Sequence, residues 1–219
     1  NARLYRATLE KAKIEHELRV AAEIQRSLLP EGRRDGAYFH AMGASLPSRS
    51  IGGDFFEYID TDDGGIGVVV GDVAGKGPAA ALLTAKIQGL FSAQVASNSP
   101  ATAMRLVNTG LLKRQVDARY ATVFFATLSP DGALAYCNAG HNPPIVVSAA
   151  GVRPLMGSGM PVGLFSGATY SDEHTRLDPG DVLVVYSDGV TEALNPASEE
   201  YGDARLADVT SAHLSEPLD

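Results

Sequence analysis

Three short clusters of glycine and aspartate are the residues of this chain best suited to chemistry. They are Gly52-Gly53-Asp54, Gly71-Asp72 and Ser187-Asp188-Gly189. The last two directly follow apolar runs, at 66–70 and 182–186. A carboxylate at the mouth of a buried strand is costly unless something uses its charge. Three such carboxylates from distant parts of the chain suggest a hard divalent metal ion held by oxygen ligands.

Asp54, Asp72 and Asp188 are therefore the candidate metal ligands and the candidate catalytic residues. Mg²⁺ and Mn²⁺ prefer carboxylate, carbonyl and water oxygens in octahedral geometry. Two such ions about 3.5–4 Å apart, which share a bridging carboxylate and activate a water molecule, commonly hydrolyse phosphate esters. Asp72 is the best candidate for the bridge, because it lies between the strand 66–70 and the glycine-rich turn 74–77.

An aspartate beside a glycine can also be a turn former with no chemical role. Asp62, Asp63 and Asp131 fit that interpretation, because they lie in polar turns. The apolar runs before Asp72 and Asp188 make it a weaker interpretation for these two residues.

The composition is that of an ordinary globular protein. Of 219 residues, 45% are hydrophobic and 20% are charged, and the formal net charge of -8 argues against non-specific binding to nucleic acid or anionic membrane. No apolar stretch approaches the roughly 20 residues of a membrane span. No signal peptide is visible, so a cytoplasmic location is expected. The single cysteine, Cys137, excludes an intrachain disulfide and a cysteine-rich zinc site, and its apolar neighbours predict a packed, inert thiol.

A long N-terminal helix is predicted over residues 2–29, which contain no glycine or proline before Pro30. Two interpretations stay open: the helix packs on its own domain, or it is a coiled-coil linker that dimerises or carries a signal from an upstream sensor domain. The heptad positions that bear on this choice are Ala7, Ile14, Ala21 and Leu28, with Lys11, Leu18 and Gln25 between them. We assign residues 1–30 to this linker and 31–219 to the globular domain, and we expect the chain to be part of a longer protein.

The rest of the chain predicts runs of strands with helices grouped between them. The predicted strands are 37–60, 66–72, 121–128, 134–138, 145–148 and 182–187, and the predicted helices are 78–96, 99–115 and 201–214. This order indicates an α+β fold that is built on antiparallel sheets.

Four motifs, taken together and in order, resemble those of a known family. They are IGGDFFE at 51–57, GDVAGKGPAA at 71–80, NAGHNPP at 138–144 and YSDGVTEA at 186–193. They are similar to the motifs of the bacterial SpoIIE/RsbU branch of the PPM (type 2C-like) serine/threonine phosphatases. The resemblance implies a PPM-type layered β-sandwich flanked by helices, and a hydrolase that depends on one or two Mg²⁺ or Mn²⁺ ions.

The same resemblance implies roles for individual residues. By motif, Asp72 would bridge both metals, Asp54 and Asp188 would each hold one, and the carbonyl of Val73 would be a further ligand. The implied substrate is phosphoserine or phosphothreonine on a partner protein. In that family the partner is typically an anti-sigma factor antagonist, whose dephosphorylation releases a sigma factor.

The sequence departs from the wider family at three points. No histidine follows Asp72 as a general acid; His141 is a possible substitute, although we favour a role in holding the turn 140–144. The Asp-Asp motif of a final strand is missing, so we expect the domain to lack that strand and to hold its second metal weakly. A phosphate-binding arginine is expected on chemical grounds, and Arg49 and Arg119 are the candidates, against the alternative of solvated surface charges.

Two other functions are alternatives to the phosphatase. A catalytically weak or silent regulatory module, which dimerises or docks a partner, would keep the same fold, and the missing Asp-Asp motif favours it. A P-loop nucleotide-binding protein is disfavoured, because Gly77 follows Lys76 where that motif requires serine or threonine.

Overall fold

The computed structural model describes residues 2–47, 51–62, 64–94, 98–113 and 119–218. The helices are α1 (Ala2–Leu28), α2 (Pro78–Gln94), α3 (Pro100–Leu112), α4 (Asp188–Thr191) and α5 (Asp203–Ala212). The strands are β1 (Arg33–Asp35), β2 (His40–Met42), β3 (Phe55–Asp60), β4 (Ile66–Val73), β5 (Ala121–Leu128), β6 (Ala133–Ala139), β7 (Ile145–Ser148), β8 (Gly151–Pro154), β9 (Glu173–Arg176) and β10 (Val182–Val184).

The strands form two main sheets and one small hairpin, and every pairing is antiparallel. The larger sheet has the order β3-β4-β5-β6-β9, and the smaller sheet has the order β10-β7-β8. The hairpin consists of β1 and β2. The α+β prediction with antiparallel sheets is confirmed.

Two hydrophobic cores divide the domain into layers. In the first core, α2 and α3 pack on one face of the larger sheet, with Phe91 and Met104 against Phe125 and Val69. In the second core, Phe124, Leu134 and Val146 pack between the two sheets. Alternate residues of β5 enter different cores because successive side chains of a strand point to opposite faces. The helix α5 lies against β7 and β8 of the smaller sheet.

The sequence predicted most helices well, because their ends carry strong signals. Ser99 is the N-cap of α3, and its side chain accepts a hydrogen bond from the backbone N–H of Thr102. The prediction for α1 ends one residue late, and α2 and α5 lie within their predicted ranges. Cys137 is buried, and burial raises the pKa of its thiol to about 12, as expected for an inert side chain.

The strand predictions needed several corrections. The predicted strand 37–60 is wrong over 37–39, 43–47 and 51–54, because β2 spans His40–Met42 and β3 begins only at Phe55. Residues 48–50 of this prediction lie outside the described residues. The strands β8 and β9 were missed, because they are short, exposed or polar, and lack a strong apolar alternation. The predicted strand 182–187 ends at Val184, and the missed helix α4 begins at Asp188.

The helix α1 meets the rest of the domain only near its C-terminal end. Residues 3–17 are exposed, and the side chains of Leu9 and Ile14 have exposed fractions of 53% and 57%. Ala22 is the buried residue of the helix. No helix within the described ranges is both long and apolar enough to cross a membrane.

Candidate metal centre

Asp54 and Asp72 come together at one end of the larger sheet. Asp72 lies in β4 and Asp54 directly precedes β3, whose first residue, Phe55, pairs with Gly71. This register places the two aspartates beside each other, and a hydrogen bond joins their carboxyl groups. Two of the three predicted ligands therefore form a contacting pair.

The environment of this pair favours its protonated form. Burial raises the pKa of Asp72 to about 7, with further contributions from the charge of Asp54, from their hydrogen bond and from the charge of Asp188. Burial also raises the pKa of Asp54. Two adjacent carboxylates cannot both ionise cheaply without a nearby cation, so this donor set suits a divalent metal ion.

Asp188 lies close enough to influence the pair through its charge. It is the first residue of α4, and its neighbour Ser187 forms a side-chain hydrogen bond with Asp54 that lowers the pKa of that carboxyl group. However, the described ranges contain no group of three or more His, Cys, Asp or Glu side chains arranged to hold a metal ion. The structure thus brings Asp54 and Asp72 into contact and leaves Asp188 nearby, outside a ready-made cluster.

Gly53 allows the backbone to approach Val73 closely. A Cβ atom added to Gly53 would lie 2.5 Å from the carbonyl oxygen of Val73 and 2.9 Å from Oδ1 of Asp72. The Gly53 carbonyl accepts hydrogen bonds from Oγ1 of Thr84, at 3.0 Å, and from the backbone N–H of Val73, at 3.3 Å. The carbonyl and carboxylate oxygens of 72–73 therefore lie against the loop that leads to Asp54, which fits a site lined by oxygen ligands.

His141 is buried beside the centre and is neutral at physiological pH. Burial lowers the pKa of its ring to about 4, although the charge of Asp188 and the backbone of Tyr186 oppose this shift. Its Nδ1 lies 3.1 Å from Oγ1 of Thr122, and Thr122 pairs with Asp72 across β4 and β5. A histidine with such a low pKa carries no proton to give as an imidazolium at neutral pH.

The turn that contains His141 is held by a different side chain. Oδ1 of Asn138 accepts a hydrogen bond from the His141 backbone N–H, at 2.7 Å. Nδ2 of Asn138 donates to the His141 carbonyl, at 3.0 Å. Asn138 thus fixes the backbone of the turn, and the ring of His141 contacts Thr122 instead.

The two candidate arginines have different outcomes. Arg49 lies outside the described residues. Nη1 of Arg119 donates to the carbonyl of Ala74, at 3.3 Å, and lies 2.4 Å from where a Cβ of Gly75 would be. Gly75 has a φ of +103°, so this turn needs glycine for its backbone conformation as well as for space. Arg119 therefore packs on the turn that follows Asp72.

Sequence reasoning missed three polar residues around the pair. The ammonium group of Lys76 lowers the pKa of Asp72, the hydroxyl of Ser187 reaches Asp54, and Thr84 binds the Gly53 carbonyl. Lys76 and Ser187 lie inside recognised motifs, so their positions were a usable signal. Thr84 lies on α2, and its sequence neighbours give no indication of this contact.

A large cleft opens beside Asp54. It has a volume of about 1020 Å³ and lies between the sheets, with lining side chains that include Phe56, Val70 and Leu183. The lining also includes Leu214 and Leu218, near the C-terminal end of the described chain. Asp54 therefore lies at the wall of a predominantly apolar cleft.

The chain matches a known family and several known proteins. A sequence profile of the family described as Stage II sporulation protein E (SpoIIE) matches residues 62–219. Protein IcfG of Synechocystis sp. is 28% identical over 91% of this chain, and the phosphoserine phosphatase RsbU of Bacillus subtilis is 28% identical over 82% of it. The chain spans 36% and 54% of the lengths of these two proteins.

Two solved structures are similar in fold to this chain. The structure of the RsbU and RsbW domains of Rv1364c from Mycobacterium tuberculosis is 29% identical, with a TM-score of 0.65 over 78% of this chain and 48% of that chain. The SiaA-PP2C domain of Pseudomonas aeruginosa has a TM-score of 0.77 over 95% of this chain and 86% of that chain, and its 24% identity makes this a likeness of fold.

Proposed function

This chain belongs to the SpoIIE family, in the SpoIIE/RsbU-like branch of the PPM (type 2C-like) phosphatases, and we propose that it hydrolyses phosphoserine or phosphothreonine on a regulatory partner protein. The observation that carries this proposal is the contact between the Asp54 and Asp72 carboxyl groups, which burial and their mutual charge make costly to ionise together unless a cation is bound. The relative RsbU is a phosphoserine phosphatase, which supports the same substrate chemistry.

The proposed centre uses Mn²⁺ or Mg²⁺, as one or two ions. Asp72 would bridge the ions, and Asp54, Asp188 and the carbonyl of Val73 would be the further ligands. When bound, the ions would lower the pKa of a water molecule enough for it to attack the phosphorus atom at neutral pH. The low pKa of His141 argues for a structural role, so the leaving serine or threonine oxygen would take its proton from solvent.

Phosphate binding is proposed for Arg119, with Arg49 as the other candidate. The guanidinium of Arg119 lies on the turn after Asp72, so a donor group is close to the carboxylate pair. Planar guanidinium groups bind phosphate oxygens well.

The proposed partner is a phosphorylated anti-sigma factor antagonist. The basis is the family and the RsbU relatives, because the described residues carry no feature that identifies one phosphoprotein. A homodimer through α1 and an upstream sensor domain are proposed as well, since the first turns of α1 are exposed.

A direct test of the phosphatase uses Asp72→Asn and the matched control Asp62→Asn. Asp62 is exposed in the turn between β3 and β4, where its charge serves no partner in the proposed chemistry. With added Mn²⁺ and a phosphoserine peptide, we expect Asp72→Asn to lose at least about 100-fold in rate, because a bridging ligand is lost. Asp62→Asn should keep the wild-type rate, and an unchanged rate in Asp72→Asn would contradict the metal mechanism.

A catalytically silent regulatory module is the second candidate. The observation in its favour is that Asp188 does not complete a three-residue metal cluster with the other ligand-type side chains that the structure describes. Calorimetric titration with Mn²⁺ separates the two candidates, because a silent module should show no tight site.

A further inference from the structure

The last two turns of the linker helix α1 connect it to the part of the domain that contains the metal centre. The side chain of Ala22 is buried, and the carbonyl of Leu28 accepts a hydrogen bond from Nε2 of Gln88 on α2, at 3.1 Å. Between them on the helix lies Gln25, which is half-buried. This short stretch is therefore where α1 contacts the rest of the domain.

Gln25 binds the backbone of Gly52 at two points. Its Nε2 donates to the Gly52 carbonyl, at 2.7 Å, and its Oε1 accepts from the Gly52 N–H, at 3.1 Å. A primary amide presents a donor and an acceptor side by side, so it can satisfy both backbone groups of one residue. This contact joins residues 27 positions apart in the chain.

The next peptide groups lead directly to Asp54. The Gly53 carbonyl is bound by Thr84 of α2 and by the backbone N–H of Val73 in β4. The loop 51–54 is thus fixed from α1 by Gln25 and from α2 by Thr84. Removing the Gln25 contacts would leave one side of the loop without its support, while Thr84 and Val73 still hold the other.

We propose that Gln25 is a positioning residue, which fixes the loop 51–54 so that Asp54 meets Asp72 and which couples α1 to the metal centre. The inference rests on the proposed phosphatase function and adds to it the residue through which the linker helix acts. Gln25 touches neither substrate nor metal, and its effect passes through Gly52.

The test compares Gln25→Met and Gln25→Glu with the control Glu23→Met in the full chain. Methionine matches glutamine in length and helix propensity but forms neither hydrogen bond. Glutamate keeps the acceptor for the Gly52 N–H and loses the donor. Glu23 is exposed on the same helical turn, so its replacement reports on helix and surface effects alone.

Two readouts are measured: Mn²⁺ affinity by calorimetry, and hydrogen exchange of the 51–54 amides in metal-free protein. For Gln25→Met we expect about a tenfold weaker Mn²⁺ affinity, given the usual value of one to two hydrogen bonds, and faster exchange at Gly52. Gln25→Glu should be intermediate and Glu23→Met unchanged. At saturating Mn²⁺, the dephosphorylation rate of Gln25→Met should stay near the wild-type value. A variant that had lost its structure in general would not recover this rate.

Unchanged Mn²⁺ affinity in a folded Gln25→Met variant overturns the proposal. If Gln25→Met does not fold, which the loss of its cooperative unfolding transition would show, the Mn²⁺ affinity of Gln25→Glu decides instead. If the wild type itself binds no Mn²⁺, the phosphatase function fails and the positioning role fails with it. Faster exchange at Gly52 would then still identify Gln25 as a purely structural link.

Discussion

Asp72 is the residue on which the proposed chemistry depends most. Its carboxyl group contacts Asp54, feels the charge of Asp188, and is paired across the sheet with Thr122. Asp54 and Asp188 both disfavour the ionised form of Asp72, and the charge of Lys76 favours it. A metal ion that binds here must displace a proton, so metal affinity and pH are linked.

The metal-free protein should lose stability through Asp72 as the pH rises. The pKa of Asp72 is about 7 in the folded state and near 3.8 in the unfolded chain, so the folded state binds more protons between these values. The contribution of Asp72 to the free energy of unfolding therefore falls from about pH 4 to about pH 7 and is constant above. His141 acts in the opposite sense, because its pKa of about 4 lies below its usual 6.5.

Urea unfolding of wild type and Asp72→Asn in EDTA isolates this effect. The free energy of unfolding of the wild type, relative to that of Asp72→Asn, should decrease as the pH is raised from about 4 to about 7. A difference that does not change with pH would mean that Asp72 ionises normally.

At the residue scale, the sequence identified Asp54 and Asp72 as candidate ligands but did not identify the side chains that hold the loop 51–54 in place. Asp54 and Asp72 were recognisable because a carboxylate beside glycine at a strand end is unusual. From the sequence, Gln25 was assigned only to a heptad position of the N-terminal helix. Its hydrogen bonds to Gly52 depend on how α1 packs against the loop 51–54, and the local sequence around Gln25 does not predict this packing.

Among the elements, α1 is the one whose packing distinguishes the two interpretations of the N-terminal sequence. Residues 3–17 are exposed, so over these turns the helix does not pack on its own domain. Its C-terminal turns do pack, through Ala22, Gln25 and the carbonyl of Leu28. The interpretation of a helix packed on its own domain therefore holds for the C-terminal turns, and a dimer or linker role of the exposed part stays a prediction.

Deletion of residues 1–20 tests whether the exposed part of α1 acts on the centre. It removes the exposed turns and leaves Gln25 and its contact with Gly52 in place. We expect a change in the Mn²⁺ concentration needed for half-maximal rate, or in the basal rate, together with a lower mass by light scattering if the helix dimerises. Unchanged kinetics would show that the exposed turns of α1 do not act on the metal centre.

Strand predictions failed where the chain lacked alternation. The stretch 37–54 contains several small and polar residues that a strand can accommodate, but among its described residues the strand that forms is β2. The edge strand β9 is polar and forms because β6 offers it a free edge. Such pairing follows from the assembled sheet and not from the strand's own residues.

In the whole molecule, the candidate ligands come from both sheets. Asp54 and Asp72 belong to the β3–β4 end of the larger sheet, and Asp188 follows β10 of the smaller sheet. The core between the sheets, with Phe124 and Val146, sets their separation. A metal ion held by all three aspartates would bind only the folded arrangement of both sheets.

Mn²⁺ should therefore stabilise the entire domain. A ligand that binds only the folded state adds about 2.7 kcal/mol at 100 times its Kd. We expect urea unfolding of the wild type to show a gain of this order in Mn²⁺ and a much smaller one for Asp72→Asn. Equal gains in the two proteins would place the binding ion elsewhere.

The strand order also sets the sequence of events during folding. The hairpins β3–β4 and β5–β6 join neighbouring segments, so the entropy cost of closing their loops is small. The pairing of β10 with β7 must wait for the segment between them, because non-local contacts form late. We therefore expect Asp188 to reach its place after Asp54 and Asp72 have met, so that a half-folded chain would offer divalent ions only an incomplete site.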